Sequence, residues 1–270
     1  VKYGIIAGNG RFPLLALETA RRQGDEVVAF AIKEEAAPEV EHAAARCYWI
    51  SLGDLSKLID GCKKEGITQI MMAGQVKHAK IFSAIRPDWR LAKLLLTLGS
   101  KNTDSLIGGV VKVLKDEGIE LVDSTLLLKP LLATEGVLTK RKPTSDELRD
   151  IEYGRKIAHM LASMDLGQSV AIADRACVAL EAMEGTDAML RRAASLVQGK
   201  NLTLVKASSR RGHLLFDVPV IGANTIDVMQ ETGTTAAAID AGRTLMLDRD
   251  ELLANANAAG IAIVASAVST

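Results

Sequence analysis

Three short stretches of the chain carry residues whose types and spacing could do chemistry. Gly8-Asn9-Gly10 stands between an apolar run and a helical pattern, where backbone N–H groups and a helix dipole favour an anion. Pro13 occupies the third glycine position of the dinucleotide fingerprint, so that fingerprint is incomplete. The loop reads either as a turn that needs glycine for its backbone or as a phosphate contact. Glu181, Glu184 and Asp187 gather around the turn Glu184-Gly185-Thr186-Asp187, before a helix that Thr186 is placed to cap. Such carboxylates could hold Mg²⁺ or bond ribose hydroxyls, or could simply cap the helix and face solvent. Asp217 is the lone acid of the apolar run 216–222. An isolated carboxylate in so apolar a strand is rare unless it is paired, capping or bound to metal. Asp104 opens a helical pattern and reads first as a helix-start acid. The four histidines, His42, His78, His159 and His213, lack i, i+4 ligand spacing and read as surface or packing residues. No Gly-x-Ser-x-Gly elbow or other serine or cysteine nucleophile motif is visible. Metal-assisted hydrolysis or ligand binding therefore fits better than covalent acyl transfer.

The elements that must position these residues alternate through the first half of the chain. Strands are expected over 2–7, 26–32, 47–50 and 69–73, with helices over 13–22 and 54–65, the latter with Asp54 as a cap. The strands are nearly continuous apolar runs and the helices amphipathic, the pattern of a parallel sheet covered on both faces. Helices over 89–98 and 104–117 and a short strand over 120–122 follow. From 129 to 143 the periodicity lapses, and Pro130, Gly136, Pro143 and Lys140-Arg141-Lys142 read as a solvated connector. A long helix over 146–164 has acids in its first turn, and Ser145 with Leu148 gives no full capping box.

The second half changes character. Strands over 168–173 and 177–181, separated by Asp174-Arg175, predict a hairpin. A helix over 187–197, strands over 202–206 and 214–218, and a helix opened by Asn224 or Thr225 come next. Segments over 236–239, 248–259 and 261–264 read as strand, helix and strand. This is a second α/β domain with a mixed sheet.

Lys+Arg 33 against Asp+Glu 33, with aromatics at 3%, excludes a protein whose affinity for nucleic acid rests on basic charge and base stacking. Cys47, Cys62 and Cys177 form no Cys-x-x-Cys pair, which argues against a disulfide framework or a cysteine zinc site. Residues 1–8 read as a strand rather than a leader, and runs such as Leu94-Leu95-Leu96 are far too short to span a bilayer.

Several motifs recur together in one known family. They are 4–10 through Pro13, Ala73-Gly74-Gln75-Val76-Lys77, Asp104-Ser105-Leu106, the stretches 165–170 and 184–189, Asp217-Val218-Pro219 with Gly222 and Thr225, and Ala241-Gly242-Arg243. In this order and spacing the chain resembles the LpxI-type UDP-2,3-diacylglucosamine pyrophosphatases of lipid A biosynthesis. The resemblance implies an α/β fold: a Rossmann-like domain over 1–129 with a parallel sheet, a linker over 130–144, and a distinct carboxyl-terminal catalytic domain over 145–270. It implies hydrolysis to UMP and 2,3-diacylglucosamine 1-phosphate (lipid X), with water attacking the α-phosphorus and Mg²⁺ as cofactor.

On this resemblance Asp217 takes the catalytic position and, with Glu184 and Asp187, the metal. Gly8, Gly10, Gly74, Gln75, Lys77, Asp104, Glu184, Gly185, Thr186, Asp187, Lys206, Gly222, Thr225 and Arg243 are expected to contact substrate. Lys206 and Arg243 supply the positive charge that a pyrophosphate requires. The chain departs from the family's usual pattern at Gly212-His213-Leu214-Leu215, at Asp240-Ala241-Gly242-Arg243 and at Thr103-Asp104. An amphiphilic UDP-sugar lipid substrate implies a cytoplasmic protein in peripheral, reversible contact with the inner membrane and no nucleic-acid partner. Self-association into a homodimer stays open. The alternatives are a nucleotide- or NAD-binding Rossmann protein without pyrophosphatase activity, and a lipid carrier without turnover.

Overall fold

The structure, a computed structural model, describes residues 1–74, 86–98, 103–199, 201–209, 215 and 218–268. These form two compact units, Val1–Leu128 and Lys129–Thr270.

In the first unit, strands β1 (Lys2–Ala7), β2 (Glu26–Ile32), β3 (Arg46–Ile50), β4 (Gln69–Ala73) and β5 (Glu120–Leu121) pair in parallel in the order β3-β2-β1-β4-β5. Helices α1 (Phe12–Gln23), α2 (Glu39–Ala43), α3 (Leu55–Glu65), α4 (Trp89–Thr97) and α5 (Thr103–Asp116) accompany them. The sequence expectation holds where apolar runs are continuous: β2 buries every residue after Glu26. The helix α2, which follows Pro38, has too few residues to show a period and was not anticipated. Asp54 precedes α3 without capping it through its side chain, because its Oδ2 takes the Ser51 N–H at 3.0 Å and Lys57 Nζ at 2.8 Å. From β1 the chain runs outward through β2 and β3, then returns to place β4 on the other side of β1. That reversal between β1 and β4 is where open α/β sheets take ligands, outside the strands' carboxyl ends.

The second unit carries a mixed sheet in the order β6-β13-β11-β9-β7-β8. Its members are β6 (Gly136–Val137), β7 (Ser169–Ala173), β8 (Ala176–Leu180), β9 (Leu202–Lys206), β11 (Thr234–Asp240) and β13 (Ala262–Ser266), while β10 (Val220–Ile221) and β12 (Leu245–Met246) pair separately. Strands β9, β11 and β13 are parallel, and β6 and β7 run against them. The β7–β8 hairpin turns through Asp174 and Arg175, both at positive φ (50° and 59°), as a two-residue turn of the primed type requires.

Helix α6 (Ser145–Ser163) covers one face of this sheet, setting Ile151, Ala158 and Leu161 against Val170, Ile172 and Val205. Gly154 permits the approach, since a Cβ there would stand 2.7 Å from Val205 Cγ2 and 2.8 Å from Ile172 Cγ1. Helices α7 (Thr186–Val197), α8 (Ala223–Glu231) and α9 (Arg249–Ala258) bury Leu190, Met229 and Leu252 in the other core, with Leu204, Ala237 and Ile263.

Two expectations change in this unit. The stretch 129–143 is not a free connector. Its β6 pairs with β13, Ala133 exchanges backbone bonds with Thr244 (2.9 Å) and Gly242 (2.8 Å), and Thr139 Oγ1 accepts from Ile263 N at 2.9 Å. Periodicity misses such a segment because backbone groups do the pairing, two residues at a time. The capping box of α6 exists one residue earlier than Ser145, at Thr144. Thr144 Oγ1 accepts from Glu147 N at 3.2 Å while Glu147 Oε2 accepts from Thr144 N at 2.7 Å. Arg141, from the basic triplet, forks onto the same carboxylate at 2.9 and 2.8 Å. The strand expected over 214–218 lies largely outside the described residues.

Candidate active site

The first unit supplies a glycine-built loop. At the carboxyl end of β1, Gly8 N donates to Ala73 O at 2.8 Å, so the Gly8-Asn9-Gly10 loop is tied to the end of β4. Gly74 follows β4 at φ +86°, and a Cβ there would stand 2.5 Å from Asn9 O and 2.9 Å from Gly8 C. Any side chain at 74 would push the loop away, so Gly8, Asn9 and Gly74 form one packed feature at the switch point, while Gly10 stands at φ +95° with open space around it. Helix α1 begins just beyond, with no side-chain cap and with Pro13 in its first turn. Gln75 and Lys77 lie outside the described residues, and Asp104 sits in the first turn of α5.

The second unit gathers polar side chains at one edge of its sheet. Strand β9 ends there with Lys206, β7 begins there with Ser169 directly opposite, and β8 delivers Glu181. Lys206 is only 8% exposed and Ser169 is fully buried. The Lys206 ammonium donates to Thr186 Oγ1 at 2.9 Å and reaches Ser169 Oγ at 3.4 Å. Thr186 Oγ1 in turn donates to Glu181 Oε1 at 3.1 Å. Thr186 is therefore the first residue of α7 rather than its cap; Gly185 takes the cap position at φ +84°. Among the described residues Lys206 has no carboxylate in ion-pair contact.

Next to this cluster, Asp240 ends β11 with no exposed surface. Its Oδ2 accepts from Ser208 N at 2.7 Å and Ser208 Oγ at 3.0 Å, and its Oδ1 faces Arg155 Nη2 at 3.1 Å and His159 Nε2 at 3.4 Å. Burial pushes the Asp240 carboxyl up, but His159 and Ser208 outweigh it and hold the group below its ordinary value. Arg243 Nη1 donates to Ser209 O at 2.8 Å, steadying the same loop after β9.

The expected metal ligands are otherwise engaged. Glu184 Oε1 pairs with Arg192 Nη2 at 2.6 Å, which lowers its pKa, and Glu184 Oε2 accepts from Ala182 N at 2.9 Å. Asp187 Oδ2 accepts from Asn224 Nδ2 at 2.7 Å. Asn224 lies in the first turn of α8, after Gly222 at the cap and before Thr225, whose N–H bonds back to Gly222 O at 3.0 Å. Among the described residues no three His, Cys, Asp or Glu side chains come close enough to hold a metal ion. Asp217 lies outside the described residues.

Two family models divide the chain between them. The LpxI N-terminal domain matches residues 2–131 and the LpxI C-terminal domain matches residues 134–264. The chain belongs to the LpxI family. A relative from Caulobacter vibrioides, the UDP-2,3-diacylglucosamine pyrophosphatase LpxI, is 28% identical over 97% of this chain and 96% of its own. Among solved structures, Rhizobium etli pyruvate carboxylase matches 63% of this chain and 14% of its own at 12% identity and TM-score 0.31. A Bifidobacterium longum UDP-glucose 4-epimerase with NAD⁺ and UDP matches 54% of this chain and 43% of its own at 15% identity and TM-score 0.30. At such scores neither structure bears on this LpxI protein's chemistry.

In this LpxI chain Thr186 and Lys206 each stand out in the sequence, but nothing in it joins them, and nothing in it gives Ser169, Arg155, Ser208 or Asp240 a site role. The available signals were a serine opening an otherwise apolar strand and a lysine closing another.

Proposed function

We propose that this chain hydrolyses the pyrophosphate of UDP-2,3-diacylglucosamine to UMP and 2,3-diacylglucosamine 1-phosphate. The observation that carries the reading is a family match running through both units, joined to a buried lysine in the second that has no carboxylate in ion-pair contact among the described residues. Phosphoanhydride hydrolysis needs little covalent work from the protein. It needs charge neutralised on the phosphoryl oxygens and a water held in line. Lys206, held by neutral hydroxyls, keeps its charge for a phosphoryl oxygen, and in a dry setting that charge acts more strongly than it would in water. Arg243 adds a second cation at the loop after β9. Backbone N–H groups at Gly185 and Gly222, each opening a helix, offer further donors to anionic oxygens. Asp217, by the family resemblance, is proposed to orient the attacking water toward the α-phosphorus.

Mg²⁺ dependence is a separate proposal. Glu184 and Asp187 are committed to Arg192 and Asn224, so among the described residues the donors do not fit a protein-held metal, and no step is routed through one. What supports Mg²⁺ is the substrate: this ion is commonly held by one or two carboxylates plus phosphate oxygens. The two acyl chains likewise support work at the cytoplasmic membrane face. No helix among the described residues is long and apolar enough to cross a membrane, which fits peripheral contact.

The test is purified protein with UDP-2,3-diacylglucosamine in heavy-oxygen water, with and without Mg²⁺, read by product mass. Label in UMP supports attack at the α-phosphorus. Label in the lipid monophosphate overturns that step, and no cleavage under any condition overturns the function.

A further inference from the structure

An ammonium removed from water is costly unless its donors find partners, and the usual partner is a carboxylate. Among the described residues Lys206 departs from that rule. It is 8% exposed, and its described partners are the Thr186 and Ser169 hydroxyls, at 2.9 and 3.4 Å. The nearest acid in the network, Glu181, is joined to it only through Thr186. Oxygen Oγ1 of Thr186 accepts from Lys206 and gives its single proton to Glu181 Oε1 at 3.1 Å. With that proton committed, the 3.1 Å contact between Ser169 Oγ and Thr186 Oγ1 must have Ser169 as donor. Every hydroxyl proton in the cluster is thereby oriented.

The strand pairing makes this arrangement rigid. Ser169 stands opposite Lys206 in the β7–β9 ladder, Glu181 N donates to Ser169 O at 2.9 Å, and Thr186 opens α7. Gly167 lets the β7 entry lie against the end of β8, since a Cβ there would be 2.2 Å from Glu181 O. Glu181 Oε2 is buried and takes no hydrogen bond among the described residues, so this carboxylate is spent on one oxygen only.

We infer that Thr186, Ser169 and Glu181 are positioning residues whose joint task is to hold Lys206 in place without neutralising it. This rests on the pyrophosphatase reading above and adds to it the device by which the cation stays available. A direct Lys206–Glu181 ion pair would hold the lysine equally well but would cancel the charge that a phosphoryl oxygen needs. Placing a hydroxyl between them transmits the carboxylate's grip and leaves the ammonium's field open. Charge on the departing phosphoryl oxygens grows toward the transition state, so loss of this placement falls on kcat more than on KM.

The experiment is steady-state hydrolysis of UDP-2,3-diacylglucosamine by the wild type and by Thr186→Ser, Thr186→Val and Ser169→Ala, each with its melting curve. The expected order is Thr186→Ser within about threefold of wild type, Ser169→Ala down by roughly 3–10-fold, and Thr186→Val down by on the order of 10²-fold in kcat, the scale of losing one preorganised group. Thr186→Val keeps the side chain's shape but strips a partner from the buried Lys206 and Glu181, so its melting temperature should fall modestly with the fold retained, while Thr186→Ser restores turnover. Wild-type kcat in both Thr186→Val and Ser169→Ala would overturn the inference. If Thr186→Val does not fold, Ser169→Ala decides alone, with an unchanged kcat counting against it. A wild-type protein that leaves UDP-2,3-diacylglucosamine intact overturns the pyrophosphatase reading instead, and the two failures are distinguishable.

Discussion

Glu65 in the first unit and Lys206 in the second are both charges withdrawn from water, and their surroundings differ in kind. The Glu65 side chain is 2% exposed and closes α3. It receives Tyr48 Oη at 2.5 Å, Lys2 Nζ at 3.1 Å and Arg46 Nη1 at 2.9 Å. Tyr48 first, then Lys2 and Arg46, hold its carboxyl down at about 2. Lys2 opens β1 and Arg46 opens β3, so this cluster ties the strands' amino-terminal ends, where parallel sheets do not place ligands. Lys206 closes a strand, at the carboxyl-terminal edge where they do, and among the described residues meets only hydroxyls. A buried charge saturated by its own protein is a fastener. One held by neutral groups keeps its charge for a visitor.

The comparison breaks most sharply under Lys206→Met. Removing this ammonium ends its own desolvation cost and leaves no carboxylate that was in direct contact with it among the described residues, so the melting temperature should stay near that of the wild type. Turnover should fall on the order of 10²–10³-fold, the scale of losing one preorganised electrostatic group. Normal turnover with a lowered melting temperature would make Lys206 a second fastener. Glu65→Gln should do the reverse. It strips the charge from under Lys2 and Arg46, so the melting temperature drops while kcat stays within about twofold, far below the losses expected at a preorganised site.

Acid supplies a milder version of the same contrast. Glu65 is held at about 2, and at Glu147 burial pushes the carboxyl up while Arg141 and Thr235 pull it down further, again to about 2, against an ordinary 4.5. Both folded values are depressed, so their stabilisation is complete above about pH 4.5 and disappears as pH falls toward 2. Melting temperature measured from pH 7 to 2 should be flat at first and then decline, with a shallower decline in Glu147→Gln. The smallest effect belongs to Lys2→Ala. That ammonium is 32% exposed and shares Glu65 with Arg46 and Tyr48, so the melting temperature should scarcely move, as for most surface pairs.

Much of this architecture was legible because burial writes itself into side-chain type. After Glu26 and Gln69, strands β2 and β4 are uninterrupted apolar runs, and Asp174-Arg175 between two mostly apolar stretches marked the hairpin. The segment 129–143 was illegible for the opposite reason. Its place in the sheet is secured by backbone bonds and by Arg141 reaching Glu147, and neither leaves a period. Candidate site residues were legible as types but not as partners. Thr186 before a helix looked like a cap, and only the pairing of β7 with β9 turns its hydroxyl toward Lys206. Glu184 looked like a ligand, and only the helical reach of Arg192 shows it already paired.

The central claim is that the Lys206 ammonium meets the pyrophosphate directly. Nuclear magnetic resonance of protein carrying ¹³C-labelled lysine reads this, with Lys206 assigned by the signal missing from Lys206→Met. UDP, which carries the same pyrophosphate, is added to saturation as fixed by calorimetry. The account predicts a clear shift of the Lys206 signal, with that of Lys2 unmoved. A saturated complex in which the Lys206 signal keeps its place would contradict it.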